Sequence, residues 1–176
     1  TLRYRMSDRL TLKWNSQYNF DPYNLGFADI TENDTIIYGT RYLNTYVNQL
    51  GVSWIFNKDM YVTLNARHYW LTARYRNYLT LEEDGELTEN FDYNINNDFS
   101  YNAFNIDLIY SWRFAPGSDI IFSYKNAIEK DEVQITSVPS YDSNFKNVLN
   151  APQTNSVSLK ILFYLDYNYL RKKQRS

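Results

Sequence analysis

The sequence of 176 residues predicts an all-β chain: the C-terminal portion of an antiparallel, up-and-down transmembrane β-barrel of about seven strands. Three observations carry that expectation. Apolar and polar residues alternate with period two through successive segments. The connections between those segments run short, then long, then short again. Aromatic residues make up 18% of the chain, with 18 tyrosines, while glycine and proline number 5 and 4. Aromatics favour strands, and Tyr and Trp suit surfaces that are half apolar and half wet.

Thr1–Met6 reads as the end of a strand. The next has Leu10, Leu12, Trp14, Ser16, Tyr18 and Phe20 on one face, against Thr11, Lys13, Asn15, Gln17 and Asn19. A third alternates through Tyr46, Leu50, Val52, Trp54 and Phe56, and a fourth through Met60, Val62, Leu64, Ala66, His68 and Trp70. Phe104, Ile106, Leu108, Tyr110, Trp112 and Phe114 form the most regular run, Ile120, Phe122 and Tyr124 a short one, and Val157 to Tyr167 the last. Tight turns are expected at Ser7-Asp8, Asn57-Lys58-Asp59 and Pro116-Gly117-Ser118, with long polar segments at 21–43, 79–101 and 128–153. Membrane barrels sort their connections this way, whereas a soluble sandwich has no reason to.

Spacing places the aromatics. Trp54 and Trp112 precede short turns and belong at the periplasmic interface. Trp70 stands ten residues beyond Met60, a climb of about 25 Å at roughly 3.3 Å per residue and a tilt near 40°. That is the height of the apolar band, so Trp70, Tyr46 and Phe104 are expected in the opposite girdle, with Tyr167 closing the last strand at the membrane interface. An odd count of strands needs partners, because an open edge facing lipid costs several kcal/mol per unpaired group. The expected partners are outer-membrane lipid and upstream strands of a longer parent chain. The strand-like Thr35-Ile36-Ile37-Tyr38 could instead add a hairpin within 31–43 and complete a small barrel. Residues 1–170 read as barrel and 171–176 as a basic periplasmic tail.

Composition narrows the function classes. A net charge of −2 gives no basic patch for nucleic acid, and the lack of cysteine removes disulfides, thiolate chemistry and cysteine zinc sites. A mean hydropathy of −0.58 speaks against membrane helices, which need about 20 consecutive apolar residues, but not against barrel strands. No phosphate loop, nucleophile elbow or paired metal histidines occur, so no enzyme, metal or cofactor is expected. His68, the lone histidine, lacks the convergent ligands of a metal site. Asp92, Asn94 and Asn96 echo a calcium loop, but Asn97 stands where that loop needs glycine. The charges on the polar faces are Lys13, Arg67, Asp107, Arg113, Lys125, Lys160 and Asp166. They line the expected lumen, either as a path for a solute or as ion pairs filling it.

The segments Arg67-His68-Tyr69-Trp70, Asn102–Asp107, Trp112–Ser118 and Ala151–Ser156, with the closing Ser158–Tyr167, resemble the C-terminal barrel of an uncharacterised family of large Bacteroidota outer-membrane proteins. In that family a carbohydrate-binding domain precedes the barrel. The likeness covers most of the chain from about Tyr42 onward and carries no catalytic residue. It implies a bacterial outer-membrane location, surface solute or glycan handling or transport, and a glycan partner bound by an N-terminal domain outside this sequence. The competing expectation is a soluble or secreted antiparallel β-sandwich that binds a ligand, followed by a barrel enzyme such as a lipid hydrolase.

Overall fold

A computed structural model describes residues 1–165. It contains β1 (Leu2–Arg5), β2 (Leu10–Ile30), β3 (Ile36–Asn57), β4 (Met60–Leu81), β5 (Leu87–Asn90), β6 (Phe99–Ala115), β7 (Ser118–Val133), α1 (Tyr141–Leu149) and β8 (Gln153–Leu162). All strands join one antiparallel sheet in the order β1-β2-β3-β4-β6-β7-β8, and β5 folds back on the end of β4. The all-β, up-and-down expectation holds. Among the described residues the sheet is open: β1 and β8 stand at the two ends of the strand order, and it does not close into a barrel.

The alternation read from sequence survives as continuous rows. Tyr4, Leu12, Val52, Leu64, Leu108, Tyr124 and Val157 stand side by side across seven strands. One residue along, on the opposite face, run Arg3, Lys13, Gly51, Asn65, Asp107, Lys125 and Ser156. Register is strict because a slip of one residue would exchange these two faces entirely.

The strands are longer than alternation alone indicates, and this corrects the expected loops. Segment 21–43 is mostly paired strand: β2 runs on to Ile30, β3 begins at Ile36, and the connection is a turn at Thr31–Thr35 with Asp34 in the left-handed region (φ 60). Ile36 and Ile37 therefore open β3 and form no extra hairpin. The cause is two bulges on β2, between Asp21 and Asn24 and between Phe27 and Asp29, with a third opposite Thr40 and Arg41 where β4 carries the extra residue Arg76. Each bulge shifts the face on which later side chains appear, so period two breaks while pairing continues. Pro22, with no amide to donate, falls within the first of them.

Arg41 holds this bulged end together. Its guanidinium donates to Asn24 Oδ1 at 2.7 Å and to the Tyr75 hydroxyl at 2.7 Å, and it lies 5.6 Å from the Phe99 ring centroid. The Tyr75 hydroxyl in turn donates to the carbonyl of Phe27. Beyond it, the Tyr93 hydroxyl donates to Asp29 and accepts from the Asn97 amide, each at 2.7 Å. Burial first, and then the Asp29 carboxylate, push the Tyr93 phenol up to about 12 from an ordinary value of 10.0. Because the folded value is the higher, this contact contributes fully below pH 10 and is lost as pH rises through about 12. Near-ultraviolet titration of tyrosinate absorbance should show a late-titrating phenol that Tyr93→Phe removes. An unchanged titration in that variant would contradict the assignment.

The short turns are staggered in one direction. Arg5 opposite Thr11 centres the first on Asp8, and Leu10 opposite Trp54 carries that level to Phe56 on β3. Ile55 opposite Tyr61 centres the second on Lys58. Met60 opposite Trp112 carries that level to Phe114, whereas Asp107 opposite Lys125 centres the third on Pro116. Each turn thus lies about two residues beyond its predecessor, or about 6.6 Å along the strand for about 9.6 Å across it. If the three turns share a plane, the strands tilt by about 35° to its normal, at the lower edge of the 35–45° typical of membrane barrels. The third turn is Pro116-Gly117, with Gly117 at φ 74, as a proline-initiated turn with a left-handed second residue requires.

Candidate functional site

Two features stand out, one on each face of the sheet. On the polar face a trough of about 720 Å³ crosses β2, β3, β4, β6 and β7. A hollow bridging five strands means that this face is the concave one. Lys13, Arg67, Asp107 and Lys125, all expected to face a lumen, meet in this trough, together with the amides of Asn15, Gln49, Asn65 and Asn105. Asp107 accepts an ion pair from Lys125 at 3.6 Å across the β6–β7 ladder. Arg113 stands apart near the third short turn, paired with Asp119 at 3.2 Å. Lys160 also lies nearer that end, opposite Ile121. Asp166 and Tyr167, and the tail beyond them, lie outside the described residues.

The opposite face is apolar, and at the long-loop end α1 is packed onto it. This helix lies within the segment 128–153 expected as a loop, after β7 has continued to Val133. Val148 (0% exposed) sits on Ile128 and Phe104, with Phe145 and Ala151 beside them. Asn144 and Asn102 exchange two amide hydrogen bonds, at 2.7 and 3.1 Å, between helix and sheet. The Tyr141 hydroxyl accepts from the Asn48 amide at 2.8 Å and lies 2.8 Å from His68 Nδ1. Nε2 faces the Asn102 amide oxygen, an acceptor, at 3.4 Å, so the proton sits on Nε2 and Nδ1 is left to accept from the Tyr141 hydroxyl. His68 is a buried linker between helix and sheet, and no group of three or more His, Cys, Asp or Glu with metal-site geometry occurs among the described residues. The outer side of α1 carries exposed Asp142 and Lys146, 3.8 Å apart. The Asp142 carboxyl is held below its usual range by the Ser140 hydroxyl and the helix amides.

The six aromatics expected at membrane interfaces separate into groups. Trp54 (48%) and Trp112 (40%) are exposed on the apolar face near the short turns. Trp70 (2%) and Phe104 (9%) are covered instead, and Tyr46 stacks on Trp70 at 5.1 Å. The Trp70 indole donates to the Ser100 hydroxyl at 3.0 Å, so its polar edge is satisfied inside the protein. Tyr18 and Phe20 on β2 stay exposed near that height, as does Tyr141 on α1 itself. The helix was legible: Tyr141, Asn144, Phe145 and Val148 follow the i, i+3, i+4, i+7 spacing of a helical face, and Ser140 stands just before it.

The fold and the two faces define a class: a staggered antiparallel meander, polar and concave on one side, apolar on the other, with a helix clasped to the apolar side. Over residues 1–174 the chain matches the family described as Domain of unknown function (DUF5916), and it belongs to that family. No curated protein matches the chain. No solved structure matches it either.

Proposed function

We propose that the sheet is the C-terminal wall of an outer-membrane β-barrel in a larger bacterial protein, one that passes or handles a surface solute or glycan without catalysing a reaction. The observation that carries this reading is the stagger of the short turns, which matches strands tilted through a bilayer. The apolar face supports it independently. Leu2, Tyr4, Trp14, Leu50, Trp54, Val157, Leu159 and Ile161 are exposed on it, and large exposed apolar surfaces mark membrane or protein contacts. Upstream strands would pair with the free edges of β1 and β8, and the concave polar face would line the lumen. In the β4–β7 sector, α1 with its charged outer side would mark the outer headgroup level, while Trp54 and Trp112 mark the periplasmic one. A sandwich would need a second sheet against this one, and the described residues form a single sheet. The Bacteroidota source and the sugar-binding N-terminal domain belong to this proposal through the resemblance given above.

Heat-modifiable migration of the detergent-extracted protein is the test. A folded form that migrates faster until boiled supports the barrel, and folding in buffer without detergent overturns it. Planar-bilayer recordings then address passage: stable unitary conductance is expected, and a silent, folded barrel would leave a scaffold with no transport role.

A further inference from the structure

We propose that the trough floor at Gly51 is a binding site for a small oxyanion, a phosphate or carboxylate group, held between Lys13 and Arg67. The proposal rests on the barrel reading for how a solute reaches the site; the site itself rests on the register.

Gly51 lies on β3 between Lys13 on β2 and Asn65 on β4, each directly opposite it. Two residues along the same face, Gln49 lies between Asn15 and Arg67. Lys13 and Arg67 therefore flank β3 from its two neighbours, offset by two residues along it and about 12 Å apart at the backbone, and both side chains are long enough to lean over the strand between them. The glycine keeps that space empty. A Cβ at Gly51 would sit 3.4 Å from Asn65 Oδ1 and 3.6 Å from Lys13 Cβ, so a larger side chain would fill the floor.

Charge gives the sign of the ligand. Asp107, the carboxylate lining the trough, is engaged by Lys125, and Arg113 by Asp119. Among the described residues no carboxylate lies within ion-pair distance of Lys13 or Arg67. Two cations thus face the same hollow without counter-charge. The Asn15 carbonyl oxygen accepts the Thr1 hydroxyl at 2.9 Å, which leaves its amide hydrogens to donate, and Asn65 and Gln49 supply further amides. A guanidinium, an ammonium and several amide donors around a floor with no side chain fit an oxyanion; a cation there would meet two like charges.

Isothermal titration of the full-length protein in detergent, first with inorganic phosphate and then with acetate, tests the site. Saturable binding of one or both is expected, weakening as ionic strength rises. Lys13→Gln and Arg67→Gln should each weaken it about tenfold or more, and Gly51→Leu should abolish it with both cations kept. Lys146→Gln, on α1 across the sheet, should leave it unchanged. If neither anion binds saturably, or if binding is unaltered in the two charge variants, the site is overturned. Should Gly51→Leu fail to fold, Lys13→Gln and Arg67→Gln decide alone, since both side chains are exposed. Heat-modifiable migration of the same samples separates the two ideas. A heat-modifiable barrel that binds neither anion sinks the site, and phosphate binding at these residues without a barrel sinks only the barrel.

Discussion

Leu108→Arg is expected to cost about 2–4 kcal/mol and to strip most of the protein from the heat-modifiable, membrane-extracted fraction, because a charge near the bilayer midplane of a barrel's outer face costs that much. Leu108 lies in the middle of the apolar face, between Leu64 and Tyr124. Its neighbour Ile109 points to the concave face, between Thr63 and Ser123. Ile109→Arg therefore adds the same charge one residue away, where water or polar groups can solvate it, and should be tolerated within about 1 kcal/mol. The pair is informative because the size of the residue replaced and the charge added are matched. Equal effects, in either direction, would mean that the face assigned to lipid is not in lipid.

Val148→Asp should release α1 from the sheet while the strands stay paired. Val148 is fully buried against Ile128 and Phe104, so the change removes an apolar contact and places an unpaired carboxylate in its position. Such a change costs on the order of 3 kcal/mol or more, enough to unseat a helix of nine residues that has little stability alone. Limited proteolysis in detergent should then cut within 134–152 at a rate the native protein does not show, with far-ultraviolet sheet signal retained. Asn147→Asp, on the exposed side of the same helix, should leave the cleavage rate near native. If Val148→Asp resists cleavage like the native protein, α1 is not held by this contact. The Asn102–Asn144 pair contributes beside it. Losing one partner there leaves the other amide buried without its hydrogen bonds, at about 1–3 kcal/mol.

Legibility in the sequence followed physical range. Where a strand runs without a bulge, as from Phe104 to Trp112, alternation alone names both faces and the row pairing agrees. Where β2 bulges after Asp21 and after Phe27, the same rule fails, and paired strand looks like loop. The trough was half legible. Lys13, Arg67, Asp107 and Lys125 were identified as facing one side, but not that Asp107 and Lys125 pair while Lys13 and Arg67 flank a glycine. Cross-strand neighbours are set by register, which no single strand contains. The girdle estimate placed Trp70 by height along its strand, which is a local quantity. What covers Trp70 comes from residues more than seventy positions later.

By itself, then, the sequence determined the all-β class, the polarity of each face and the positions of the three tight turns, because each depends on neighbours within a few residues. The tertiary structure alone decided how far the strands extend past their bulges, which charges pair, how the turns stagger, and that α1 lies over His68, Trp70 and Phe104. Those properties arise between segments distant in the chain, where pairing geometry and burial outweigh local pattern.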